Sequence, residues 1–340
     1  MSGQLSWVLL LSAVGWLWYS VEPPGESNST PSTIPGRICL EKQPAREDDT
    51  NQIQQAIDRL SRQGGGVVLF SAGHYRHRGL IGRPNVRLEG VQRTAVILDF
   101  FPSKGDGIRF ESDPDNFSIS RMTLTSSGRS KGWAVKADRG VHRSLRVDNC
   151  VLRGFENGIL ISNGINCSLR QCKIGHTFPK SPRGIGIQFG DGNEAGGNGM
   201  TIEDCYLNSL EKGIVTHAQA CLISRPILEI CDVGIETHGT TTLVAPWYDR
   251  TTRTAHLDVQ PNTLGGGSSG TGALVLGYGS AEQKIRFASK TEKMRSIVLP
   301  ERLDFGRKKE TDVPLGIQLG PVIIDREGVI HGRGFQQLPR

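Results

Sequence analysis

The chain has 340 residues, 43 of them glycine, a net charge of +6, and only 6% aromatic residues. That much glycine excludes a helical bundle, because each helix-interior glycine costs about 1 kcal/mol relative to alanine. The basic excess admits an acidic partner, but no Lys/Arg cluster is interleaved with stacking aromatics, which argues against nucleic acid. Plain solubility is the competing reading of the charge.

Residues 5–21, LSWVLLLSAVGWLWYSV, form an apolar segment. Its length lies between that of a signal-peptide core and a full membrane span, and Trp16, Trp18 and Tyr19 resemble interfacial anchors. Residues 1–21 are therefore read as a signal peptide or an N-terminal membrane anchor. Either places the rest of the chain outside the cytosol, secreted or anchored on the outer side of a membrane. Residues 22–37 are a Pro/Ser/Thr-rich linker too polar to fold. Asn28, Asn116 and Asn166 begin N-x-S/T triplets, and Asn166 is expected to lie too deep for glycosylation.

After Asp48-Asp49-Thr50, the apolar residues Ile53, Ala56, Ile57 and Leu60 recur at helical spacing and predict an N-capped amphipathic helix of about 13 residues. Gly64-Gly65-Gly66 ends it, followed by short strands such as VVLF, NVRLEG and AVILDF. A phosphate-binding loop needs its glycines before a helix, so this run is a C-cap and turn. Such a helix is well placed to cap one end of a solenoid.

Between Gly107 and Gly239 a phrase returns: GIRF, GWAV, GILI, GIGI, GIV and GIE, with starts 21 to 29 residues apart. A second phrase interleaves with it: SISRMTL, LRVDNCVL, LRQCKI, TIEDCYL and LISRPIL. One such unit cannot bury its own apolar face and must stack on the next. The alternation has period two, so the predicted fold is all-β: a single-stranded, right-handed parallel β-helix with an N-terminal capping α-helix. Aligning the glycines puts Ile108, Trp133, Ile159, Ile185, Ile214 and Ile235 in one inward row. The outward rows are then Arg109, Ala134, Leu160, Gly186, Val215, Glu236 and, beside it, Glu111, Lys136, Ser162, Gln188, His217, His238. In the second phrase Met122, Cys150, Cys172 and Cys205 stack inward, after turn residues Asn149, Gln171 and Asp204. Seven cysteines, an odd number with no C-x-x-C, argue against a full disulfide framework or a zinc site; Cys150, Cys167, Cys172, Cys205, Cys221 and Cys231 read as buried thiols, a disulfide between stacked coils being the alternative.

Asp48-Asp49-Thr50, Gly64 to Gly66, Gly73-His74-Tyr75 and Leu88-Glu89-Gly90 together resemble the opening of the pectate-lyase-like β-helix superfamily. That group includes polysaccharide lyases and hydrolases, certain epimerases and phage tailspike depolymerases. Ala45-Arg46-Glu47 stands where the superfamily has glycines, and Ser71-Ala72 replaces its proline region. The motif covers residues 38–100, and the repeat architecture extends to about 260. The resemblance implies a glycan partner lying across one parallel sheet, against outward side chains. It does not imply a chemistry, because one fold hosts many.

On that surface His217 and His238 occupy equivalent positions one coil apart, and Glu236 shares a strand face with His238. These three are the candidate catalytic residues, sufficient for proton abstraction beside a uronate carboxyl or for acid/base hydrolysis. The plainer alternative is a ladder of turn histidines. Lys136, Ser162, Gln188, Trp247, Tyr248 and Asp249 are the candidate substrate-binding residues, the two aromatics as stacking platforms or as a packed Pro-Trp-Tyr turn. The polygalacturonase series of Asn-Thr-Asp, Asp-Asp and Gly-His-Gly is absent, as are the clustered acidic calcium ligands of pectate lyases. No cofactor is expected, with a calcium ion left open, and no metal site is assigned.

The β-helix is expected over 38–264, with a Gly-rich loop and a small β-rich region over 265–340 that covers the open end or mediates assembly. The functional expectation is an exported polysaccharide-active protein, a lyase or hydrolase of an acidic glycan. The alternative is a non-catalytic glycan-binding or envelope scaffold. The expected partner is a polysaccharide, with the membrane met only through the N-terminal segment and a homo-oligomer possible by analogy.

Overall fold

A strand whose alternate side chains are apolar buries one face only, and short parallel strands bury it by stacking coil on coil. The computed structural model describes residues 36–42, 47–113, 115–176, 182–190, 192, 197–249 and 254–260. Beyond these it describes only the backbone of the strands Gly272–Leu276, Ile285–Phe287, Arg295–Leu299, Ile323–Ile324 and Ile330–His331. The apolar segment and most of the linker lie outside the described residues. Among the described residues no helix is long and apolar enough to cross a membrane.

The architecture is an all-β, right-handed-type parallel solenoid with three faces. The first face holds eleven strands, from Gly36–Leu40 through Arg146–Asp148 to Arg295–Leu299. The second holds eight, from Gly73–His77 to Trp247–Tyr248, and the third holds nine, from Leu80–Ile81 to Ile285–Phe287. Left-handed residues form the corner between the first and second faces: Arg121, Asn149, Gln171, Asp204, Arg225 and Ala245, all with φ of 45–55°. Asn and Asp tolerate this conformation best, which is why the turn was readable from Asn149 and Asp204. A second left-handed row, Asn85, Asn116, Ser144 and Asn166, precedes the first face. Asn166 is thus an exposed corner residue and not a deep one, correcting the sequence expectation.

The helix Thr50–Arg62 buries Ile53, Ala56, Ile57 and Leu60 against the first strands of the first and third faces. Its N-cap residue, Asp49, makes no side-chain cap bond. The Asp49 carboxylate instead accepts from the Arg76 N–H at 2.9 Å and pairs with Lys42 Nζ at 2.7 Å. Asp48 receives the Thr50 N–H at 2.9 Å. Closure of the solenoid end by this helix stays an expectation.

Two sequence expectations are corrected. The solenoid does not stop at residue 264: Gly272–Leu276 pairs in parallel with Thr240–Val244, and Arg295–Leu299 pairs in turn with Gly272–Leu276. At the other end Gly36 and Arg37 pair with Gly66 and Val67, inside the stretch assigned to the linker. The second correction concerns the register of the third face. Ile108, Val135, Ile159, Ile187, Ile214, Ile235 and Leu257 are aligned, so the coils starting at Gly132 and Gly184 slip by two residues. Trp133 and Ile185 are only half-buried, while Val135 and Ile187 occupy the deep row. A two-residue slip leaves every side chain on its face, so alternation alone could not reveal it.

The register is set instead by crowding. Gly158, Gly186, Gly213 and Gly234 stand next to one another. A Cβ on Gly158 would lie 2.2 Å from the Gly186 carbonyl oxygen and 2.6 Å from Ile174 Cγ2. Gly158→Ala is expected to lower stability by about 2 kcal/mol through overpacking. Urea denaturation checks this, and an unchanged midpoint would mean that the coil relaxes freely.

Met122, Cys150, Cys172 and Cys205 are buried at successive coils, their backbones joined by the bonds Val151 N–H to Met122 O, Lys173 N–H to Cys150 O and Tyr206 N–H to Cys172 O. Burial pushes the Cys150 thiol up to about 12, so it behaves as a small apolar group. On the outside of the first face Arg170 and Arg225 both pair with Glu203, at 2.7 and 2.9 Å. Such exposed ladders contribute little stability.

Candidate active site

Two consecutive third-face strands, Lys212–Thr216 and Val233–Thr237, carry the candidate site. Their register places Val215 beside Glu236 and Thr216 beside Thr237. The strands end one coil apart, with the His217 N–H on the Phe189 carbonyl and the His238 N–H on the Thr216 carbonyl, both at 2.7 Å. The two imidazoles therefore stack face to face, centroids 4.1 Å apart and planes 14° from parallel.

Glu236 points outward from its strand yet is only 8% exposed. Its carboxylate accepts from Lys212 Nζ at 2.8 Å and from His238 Nε2 at 3.0 Å. Burial by itself would raise its pKa, but the hydrogen bonds from His238 and Lys212 and their charges outweigh burial and hold it at about 2. An ionised carboxylate only accepts, so Nε2 of His238 carries a hydrogen and donates it to Glu236. The arrangement is a carboxylate that orients a base, with a lysine cation alongside.

The other predicted residues are only partly gathered. The corrected register moves Lys136 and Gln188 into the row of Leu160, Val215 and Glu236, not that of the histidines. Lys136 stands four coils from Glu236, roughly 19 Å along the axis. There it pairs with Asp138 at 2.9 Å. Gln188, two coils away, donates to the Gly190 carbonyl at 2.7 Å. Ser162 is buried just after the strand Asn157–Ile161, one coil before Gln188, in the row that continues through Gly190 to His217. The Pro-Trp-Tyr turn is on the second face, away from these strands. Tyr248 is buried with its ring flat on His256, centroids 4.5 Å apart, so it offers no face to a sugar, contrary to the sequence expectation. Asp249, half-buried just after that strand, also belongs to the second face.

Two residues were missed. Lys212 opens the strand that His217 follows, and its ammonium reaches across to Glu236 of the next coil. Asp258 sits beside Glu236 in register and is 0% exposed. Both were legible as positions two before Ile214 and one after Leu257, had the coils been aligned on their apolar rows. Among the described residues no group of three or more His, Cys, Asp or Glu side chains is placed to hold a metal ion.

Comparison with known proteins gives the following. No family model matches the chain. A mannuronan C5-epimerase, AlgE2 of Azotobacter vinelandii, is 25% identical over 169 residues, covering 38% of this chain and 17% of the epimerase. The match thus spans under one fifth of that protein's length. Among solved structures, the catalytic domain of a GH87 alpha-1,3-glucanase in complex with nigerose superposes with a TM-score of 0.51 at 14% identity, covering 76% of this chain and 46% of that one. The A-module of the Azotobacter vinelandii mannuronan C-5 epimerase AlgE6 gives a TM-score of 0.47 at 18% identity, with 71% of each chain covered. The chain shares the parallel β-helix fold of that glucanase catalytic domain.

Proposed function

We propose that this chain is an exported enzyme acting on an acidic glycan, and that it removes the proton beside a uronate carboxyl at the third face. The observation that carries the reading is Glu236 holding both His238 and Lys212 at hydrogen-bond distance. The sequence admitted either hydrolysis or carbon-acid chemistry, and the electrostatics favour the second. A glycosidase needs one carboxylic acid with a raised pKa to protonate its leaving group. Glu236, held at about 2, is ionised at any neutral pH and does not supply that proton, which in a hydrolase would have to come from another group such as the buried Asp258 beside it.

In the proposed reaction the C5–H bond of a uronate breaks and its proton passes to Nδ1 of His238. The electron pair moves into the adjacent carboxyl, and the added charge faces the Lys212 ammonium. Two outcomes balance. Either the C4–O bond breaks to leave a C4–C5 double bond, the departing oxygen taking the proton held on His238, or water delivers a proton to C5 from the opposite side while His238 gives its own to solvent. The first is a lyase and the second an epimerase. His217, stacked on His238, acts as a positioning residue that fixes the ring plane. The kinship to a mannuronan epimerase supports a uronate substrate, and the net charge of +6 suits one.

The test is the full chain incubated with polymannuronate, polygalacturonate and neutral glucans, following ultraviolet absorbance of unsaturated uronate and new reducing ends together. Rising absorbance, or a changed uronate composition without new ends, supports the proposal. New reducing ends without absorbance mean hydrolysis. No change on any polymer by folded protein moves the reading to a non-catalytic glycan-binding scaffold.

A further inference from the structure

The second face carries a surface that the third-face chemistry does not use. Lys173, Tyr206, Ile227 and Trp247 occupy one register position on four consecutive coils. All four side chains point outward: Lys173, Ile227 and Trp247 are exposed, Trp247 by 53%, and Tyr206 is half-exposed. Outward Ile and Trp on consecutive coils are costly to leave in water and mark a contact surface. Tyr206 is held in place, its hydroxyl donating to Glu229 and its ring lying 4.8 Å under the Lys173 ammonium.

The spacing fits a polymer. Tyr206 and Trp247 are two coils apart, about 9.6 Å along the axis; Lys173 covers one face of the Tyr206 ring, so Trp247 is the more open of the two. Aromatic rings receive the apolar faces of pyranoses, with their polar edges left to solvent. The charge selects the polymer. Beyond Tyr206 the row continues into Lys173, with Arg153 on the neighbouring coil two places along, and both are exposed. Among the described residues neither makes an ion pair, whereas Arg170, Arg225 and Lys136 all do. A chain lying along this stripe meets Trp247 at one end, where Glu229 and Asp249 stand in the neighbouring row, and cations outside any ion pair at the other.

We propose that this stripe is a second glycan-binding surface, on which an acidic polysaccharide lies parallel to the solenoid axis over Trp247 and Tyr206, its carboxylates on Lys173 and Arg153. This rests on the acidic-glycan reading above and adds a holding surface on a different face from the reacting one. A long polymer is then kept on the protein while successive uronates reach the third face.

The test measures affinity of the full chain for polymannuronate by calorimetry or affinity electrophoresis, with dextran as the neutral control. Trp247→Ala is expected to weaken polymannuronate binding about tenfold, the loss of one aromatic stack. Lys173→Ala/Arg153→Ala is expected to weaken it and to flatten its salt dependence. Melting temperatures establish that the variants fold, and sedimentation velocity reports self-association. If wild type binds and turns over polymannuronate but both variants bind equally well, the second surface is wrong and the first reading stands. If wild type neither binds nor turns over any polyuronate, the acidic-glycan reading itself fails. Dextran binding lost in Trp247→Ala, with no polyuronate preference, overturns the acidic assignment. A Trp247-dependent oligomer overturns it in favour of a contact between copies of this chain.

Discussion

His238→Ala is expected to reduce turnover of a polyuronate by about 10²- to 10⁴-fold, the range for loss of a positioned base, with little change in melting temperature. His238 follows Thr237, its backbone is fixed by the bond to the Thr216 carbonyl, and its side chain leaves the coil outward. Removing the ring therefore opens no core cavity. Glu236 keeps Lys212, so no carboxylate is stranded. His238→Gln separates the two parts of the role: its amide can still donate to Glu236 but offers no basic nitrogen. It should lose as much turnover as alanine. His217→Ala should lose less, because that ring orients its neighbour without taking the proton. Equal activity of His238→Gln and wild type would remove His238 from the chemistry.

The second large effect is on stability against pH. Glu236 titrates near 2 in the folded chain against an ordinary 4.5, so it stabilises the fold by about 3 kcal/mol wherever both states are ionised. Because the folded value is the lower one, that contribution is complete above pH 4.5 and fades as pH falls toward 2. Glu236→Gln lacks it at every pH. Urea unfolding at pH 7, 4 and 3 should show wild type more stable than the variant at pH 7, with the gap closing as the medium is acidified. A gap independent of pH would mean that the carboxylate is not held ionised by Lys212 and His238. Comparing the two proteins cancels the other carboxylates, which titrate alike in both.

The fold was legible because its signal is redundant. Each coil repeats a glycine, an apolar alternation and a left-handed corner residue, and Asn149, Gln171 and Asp204 marked the corner without any alignment. The register was less legible. Gly132 and Gly184 look like Gly158, but they sit two residues ahead of the crowded row to which Gly186 and Gly213 belong. Period-two patterns are blind to that shift. Lys136 and Gln188 were misplaced for this reason, and Lys212 was passed over. The His217 and His238 pairing was read correctly because Gly213 and Gly234 both belong to the crowded row and are in register with each other. Tyr248 was misjudged because a sequence does not say which side of a Trp-Tyr strand faces in. Its neighbour Trp247 takes the outward place, and Tyr248 packs on His256.

The central claim is that the third face breaks a carbon–hydrogen bond of a uronate, and exchange with heavy water tests it most directly. The full chain would be incubated with polymannuronate in D₂O and the polymer followed by proton NMR. The H5 signal is expected to be lost, to deuterium at C5 or to a C4–C5 double bond, and to persist with His238→Gln. New reducing ends with every H5 retained would contradict the claim, since glycosidic bonds would then be cleaved without any proton leaving carbon.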